Sequence, residues 1–163
     1  INLEKAIKEL AMDLGLKGKK AFITGGSVGI GLAIARWFAR EGVDVAIGAR
    51  NRERVDKEAE SIKKEYKIDA LGIEMDVTRP DDIVRARDRI ADVYGGIDIL
   101  INNAGLLTPG TKEGTSDELI DRTLNINVKG VLYSIRAVTT IMKKQRYGRI
   151  VNVSSITGNQ GQE

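Results

Sequence analysis

A chain of 163 residues, 42% hydrophobic, is long enough for one domain with its own core and too short for two of ordinary size. It has no cysteine and no histidine, which removes disulfides, thiolate and imidazole metal sites, Ser-His-Asp triads, and cysteine or histidine nucleophiles in one step. The 26 basic and 23 acidic residues are interspersed, so a net charge of +3 gives no nucleic-acid footprint, and no apolar run approaches the roughly 20 residues that span a bilayer. The first residues show no signal-peptide pattern, and a cytoplasmic location is expected.

Residues 1–14 place Leu3, Ile7, Leu10 and Leu14 at helical spacing, with Glu4, Lys5, Lys8 and Glu9 opposite. They are expected to form an amphipathic helical extension that covers the domain or makes an oligomer contact. Met12 would serve as a native start, which makes 1–11 an extension of the domain at 15–163.

The stretch at 20–34, KAFITGGSVGIGLAI, is the centre of the reading. Ala21, Phe22 and Ile23 predict a buried parallel strand, Gly25, Gly26, Gly29 and Gly31 a turn, and residues 30–40 a helix. Glycine lets backbone approach a ligand closely, and a helix N-terminus offers unpaired N–H groups and a positive dipole end to a pyrophosphate. A nucleoside-triphosphatase loop is excluded, because Leu32 and Ala33 stand where Lys and Ser/Thr are required. The common G-x-G-x-x-G fingerprint fails at Ile34. The spacing that remains is Thr24-Gly25-x-x-x-Gly29-x-Gly31.

Gly42 ends the first helix, and 43–49 predict a second strand that closes a β-α-β unit. At the tip of that strand a carboxylate would bind the ribose 2′-OH of NAD, and a basic residue the 2′-phosphate of NADP. Ala49 holds the acidic position and Arg50 follows, with Asn51, Arg52 and Arg54 close behind. The preferred cofactor is therefore NADP(H), with NAD(H) as the alternative.

Helix 54–67 and strand 70–75 lead to Asp76-Val77, after which Thr78 is expected to cap a helix running to Tyr94, with Asp81 at the capping-box position. Strand 97–101 enters Asn102-Asn103-Ala104-Gly105. Thr115-x-x-Glu118 predicts the start of one long helix to Gln145, and 149–153 a fifth strand ending in Ser154-Ser155. The loop at 108–114 is expected to form a mobile rim. The alternation predicts a doubly wound, three-layer α/β/α domain with a parallel sheet.

Four motifs, TGGSVGIG (24–31), DVT (76–78), NNAG (102–105) and NVKG (127–130), together with IVNVSS (150–155), closely resemble the short-chain dehydrogenase/reductases, members of which include 3-oxoacyl reductases. The resemblance covers the chain from about Leu14 onward. It implies a Rossmann-type sheet ordered 3-2-1-4-5 for the strands present. It further implies that Thr24, Gly25, Ser27, Gly29, Ile30 and Gly31 hold the pyrophosphate, Arg50 and Asn51 the adenosine end, Asp76 and Val77 the adenine, and Asn103, Ala104 and Gly105 the ribose. By the same resemblance Asn127 sustains a water relay and Ser155 binds the substrate carbonyl. Ser155 is preferred to Ser154 because it runs directly into Ile156-Thr157-Gly158, and Asn102, Asn125 and Ser154 are given structural roles.

The sequence departs from the family at two places. Val28 replaces an arginine frequent in NADP-dependent relatives, leaving Arg50 without its companion. The family's general acid is a tyrosine followed four residues later by a lysine, and the residues four beyond Tyr66, Tyr94, Tyr133 and Tyr147 are Ala70, Asp98, Ala137 and Val151. Eight residues follow Ser155, so the chain is expected to lack about a third of a full enzyme. The implied activity is interconversion of a small-molecule carbonyl and a secondary alcohol by hydride transfer, in a homo-oligomer, dimer or tetramer. The alternative is a noncatalytic NAD(P)-binding module or a truncated, inactive fragment.

Overall fold

Five parallel strands carry the domain because their sequences are continuous apolar runs, which suit a sheet covered on both faces. The computed structural model describes residues 13–107 and 114–155. Its elements are β1 (Lys20–Thr24), α1 (Gly29–Arg40), β2 (Asp44–Ala49), α2 (Arg52–Tyr66), β3 (Ala70–Glu74), α3 (Pro80–Tyr94), β4 (Ile99–Asn102), α4 (Asp117–Leu124), a π-helical segment (Asn125–Gly130), α5 (Val131–Gln145) and β5 (Arg149–Asn152). The sheet order is β3-β2-β1-β4-β5, as the resemblance implied, and all four pairings are parallel.

Alternate residues of the central strands feed two cores. Ala21, Ile23, Val45, Ile47, Ile99 and Ile101 meet Ala35 and Ala39 of α1 and Val55, Ala59 and Ile62 of α2. Phe22, Ala46 and Leu100 point to the opposite face, against Ile83, Ala86 and Ile90 of α3 and Ala137, Val138 and Met142 of α5. Phe22, Ile23, Ile47 and Leu100 are wholly buried, so the middle of the sheet is a rigid platform for the loops at its C-terminal edge. β5 pairs with β4, while Ile150, Val151 and Val153 remain exposed.

Three expectations about helix ends are corrected. Thr78 does not cap α3: its N–H and hydroxyl both donate to Asp76 Oδ1, at 2.9 and 2.8 Å, and the helix begins at Pro80 after an uncapped Arg79. The residue that reaches back is Asp82, not Asp81, accepting from the Asp76 N–H at 3.0 Å. Ser116, not Thr115, caps α4, accepting from Leu119 N–H at 3.3 Å, because the first turn starts one residue later than the Thr-x-x-Glu spacing suggested. The single long helix is interrupted at Asn125–Gly130 by π-type turns, although the backbone stays helical through both junctions. The expected helix over 1–14 falls mainly on residues outside those described, and the rim at 108–114 does so except for Gly114; Leu14 itself is non-helical and exposed.

Asp82 gives the first expected result. Burial works against its charge, but the Asp76 N–H and the Arg85 guanidinium outweigh it and hold the carboxyl below its usual range. A carboxylate lowered on folding stabilises above its unfolded pKa, and that contribution is lost as pH falls through the folded value. Asp82→Asn should therefore cost about 1 kcal/mol at pH 7, no more because solvent screens the Arg85 pair, and the difference should fade below about pH 4. Urea unfolding of both proteins at pH 7 and pH 3.5 measures it, and an undiminished gap at pH 3.5 would contradict the assignment.

Candidate active site

The turn between β1 and α1 is held open by contacts that glycine alone permits. Gly25 has φ +67°, and a Cβ there would lie 2.9 Å from Ala104 Cα. A Cβ on Gly31 would lie 2.4 Å from both Asn103 Nδ2 and the Gly25 carbonyl oxygen. At Gly29, φ is +56° and the Cβ position opens on empty space, so that face of the cradle is free to take a ligand. α1 starts after Val28 with no side-chain cap and no acidic residue in its first turn, whereas α2 is capped by Asn51 and opens with Glu53. Its leading N–H groups thus keep their positive end for an anion.

Asn103 locks this turn to the β4 loop, its Nδ2 donating to the carbonyls of Thr24 at 3.2 Å and Gly25 at 3.1 Å. Thr24, 2% exposed, spends its hydroxyl accepting from the N–H groups of Asn103 and Ala104, both at 3.2 Å. Asn51 accepts from Arg54 N–H at 2.8 Å. The side chains of Thr24, Asn103 and Asn51 are therefore engaged by protein, and what they offer a ligand is backbone and shape. Asn102 Nδ2 donates to Asn152 Oδ1 at 2.9 Å and joins the ends of β4 and β5, a structural role beside that of Asn103, which ties the glycine turn to the loop after β4.

A cleft follows the strand ends from this cradle. Its lining combines the small or apolar Gly25, Gly48, Met75, Val77 and Ala104 with Arg50, Leu106, Arg122 and Ile126. Gly48 leaves room for Met75, whose Sδ would sit 2.5 Å from a Cβ there. Gly130 does the same for Val77, which a Cβ would approach to 3.0 Å, and this explains the glycine of NVKG as a packing requirement. Arg50 is exposed and forms no ion pair among the described residues. Ser27 lines an adjoining hollow with Asn51 and Arg54, and Ile30 projects from α1 at 65% exposure.

A second pocket on the far side of the β4 loop brings together Asn103, Gly105, Asn127, Ser154 and Ser155, which lie in three separate segments of sequence. Asn127 clamps Leu106 with two bonds, Oδ1 accepting from its N–H at 2.8 Å and Nδ2 donating to its carbonyl at 2.9 Å. The π turns around Asn127 take main-chain carbonyls off the regular helical ladder, a device frequent at functional sites. Ile156-Thr157-Gly158, used to choose between the serines, lies outside the described residues.

The tyrosines are elsewhere. Tyr94 donates to the Val45 carbonyl at 3.0 Å, and its burial pushes the hydroxyl pKa upward. Tyr147, just before β5, lies under Lys19 and Arg149, and Tyr66 ends α2. Tyr133 packs beneath Arg136 on α5. Among the described residues no tyrosine lines either pocket.

One family model, "short chain dehydrogenase", matches residues 19–163, a stretch that includes the glycine turn, Asn103, Asn127 and Ser155. The chain belongs to that family. This short-chain dehydrogenase chain is 37% identical to the 3-oxoacyl-[acyl-carrier-protein] reductase FabG of Aquifex aeolicus, over 93% of its own length and 62% of the relative's. It superposes with a TM-score of 0.89 and 34% identity on L-sorbose reductase from Gluconobacter frateurii complexed with NADPH and L-sorbose, covering 93% of this chain and 57% of that one. NAD+-bound xylitol dehydrogenase gives a TM-score of 0.86 at 34% identity, over 90% and 56%. The chain thus spans about three-fifths of the length of these relatives. One solved neighbour holds NADPH and the other NAD+, and no helix among the described residues is long and apolar enough to cross a membrane.

Proposed function

We propose that this protein is an NADP(H)-dependent oxidoreductase that interconverts a small-molecule carbonyl and a secondary alcohol. The observation that carries the reading is the placement of two open sites on either side of Asn103–Leu106: a dinucleotide cradle with Arg50 at its far end, and a pocket holding Asn127 and Ser155. The cradle fits such a cofactor, because Gly29 opens on free space and α1 keeps its first N–H groups unclaimed by side chains. Gly25, Ser27, Gly29, Ile30 and Gly31 would hold the pyrophosphate, Asp76 and Val77 the adenine, Ala104 and Gly105 the ribose, and Arg50 the 2′-phosphate. When bound, the dinucleotide supplies or accepts the hydride. Ser155 donates a hydrogen bond to the substrate oxygen and fixes its distance. Asn127, its amide occupied by Leu106, would support a water relay through its main-chain carbonyl, and the proton that accompanies the hydride would come from the tyrosine–lysine pair of the family, which these 163 residues do not contain.

Reduction of 3-oxoacyl thioesters is the substrate class suggested by the Aquifex relative, and sugar ketones are suggested by the sorbose reductase. A second copy of the chain is the proposed partner. Ile120, Leu124, Val128 and Leu132, four residues apart along α4, the π segment and α5, expose an apolar stripe at 45%, 48%, 47% and 58%. Localisation in the cytoplasm and the treatment of 15–163 as the dinucleotide domain complete the reading.

Replacing Arg50 tests the cofactor. A charge-assisted contact to the 2′-phosphate is worth roughly 1.5–3 kcal/mol, so Arg50→Ser should weaken NADPH about ten- to a hundredfold while NADH changes little. Titration of each dinucleotide, followed by oxidation of NADPH with 3-oxoacyl thioesters and ketoses, reads both parts. Equal losses for the two cofactors would remove Arg50 from the 2′-phosphate.

A further inference from the structure

Some of the arginines on this surface are matched by carboxylates. Arg36 is bridged to Glu58 and Glu65, Arg52 to Asp56, Arg85 to Asp82 and Arg87 to Asp88. Arg122 is exposed on α4 and its guanidinium makes no ion pair or hydrogen bond among the described residues, although Glu118 and Asp121 flank it on the same helix. It nevertheless lines the same cleft as Met75 and Val77, which it reaches from α4, whereas Arg50 reaches it from the end of β2. An unpaired guanidinium and apolar side chains lining one cleft suit a flat aromatic ring, since the guanidinium stacks on π faces and is weakly hydrated. We propose that Arg122 is a positioning residue that closes over the adenine ring of the cofactor and presses it toward Met75 and Val77. The inference rests on the dinucleotide reading of the cradle and assigns to α4 a share of cofactor binding independent of the 2′-phosphate.

Calorimetric titration of the full-length protein with ADP-ribose, NADH, NADPH and reduced nicotinamide mononucleotide tests this. Arg122→Met should weaken the first three by one common factor, about three- to tenfold, and leave the mononucleotide unchanged, because only the adenine is lost from the contact. Arg122→Lys should fall nearly as far, since an ammonium keeps the charge and lacks the plane. Unchanged ADP-ribose affinity in Arg122→Met, a loss confined to NADPH, or full affinity in Arg122→Lys would each overturn the stacking role. Absence of ADP-ribose binding to the unmodified protein would instead overturn the reading of the cradle, and the clamp with it.

Discussion

Gly31→Val is expected to abolish dinucleotide binding and to lower the stability of the whole domain. The side chain would enter space occupied at 2.4 Å by Asn103 Nδ2 and the Gly25 carbonyl, neither of which is a freely swinging chain end. Relief requires the Asn103 amide to leave, and with it the hydrogen bonds to the Thr24 and Gly25 carbonyls. Overpacking at roughly 1–3 kcal/mol and two lost bonds at about 1 kcal/mol each give roughly 3–5 kcal/mol, or about 6–20 °C in Tm for a domain of this size. Gly29→Ala is the informative companion. Its Cβ meets nothing within 4 Å, so the cost is confined to the left-handed backbone and to intrusion into the cradle. Thermal melts without ligand should separate the two variants, while titration with NADPH should find both impaired. Identical melting of Gly31→Val and the unmodified protein would show that Asn103 does not lock the turn.

Ser155→Ala should reduce turnover about a hundred- to a thousandfold with NADPH affinity changed less than about twofold. The magnitude is that of removing one donor aimed at a reacting oxygen. The separation of effects follows from geography: Ser155 lies beyond β5 in the pocket with Asn127, and the cleft that holds Arg50 and Val77 does not include it. Ser154 lines the same pocket, so Ser154→Ala is the control that decides between adjacent hydroxyls. Steady-state kinetics of both variants on one reducible ketone, with cofactor affinity measured separately, give the answer. A larger loss in Ser154→Ala would reverse the assignment.

The strands were legible because each is a short apolar run bounded by glycine or charge, and the structure moves their limits by two residues at most. The glycine turn was legible for the same reason, its spacing being set by local backbone sterics. Helix starts were less so. Thr78 and Thr115 sit in sequences that resemble caps, yet the Asp76–Asp82 bond and the position of Ser116 decide where the first turns begin. The π turn left no local signal. Arg122 was missed because nothing in DELIDRTL separates it from an ordinary solvated charge; only its place on the cleft wall does.

By itself the sequence determined the parallel α/β architecture, the cradle at 24–31, and the nearness of Arg50 to the end of β2, all of which arise from periodicity and turn chemistry within a few residues. Tertiary structure alone decided that Asn103 locks the cradle from 79 positions away, that Asn127 and Ser155 share one pocket, and that Gly130 is small because Val77 lies against it. The physical reason is that these contacts cross between strand ends, so they exist only once the order β3-β2-β1-β4-β5 has set distant segments side by side.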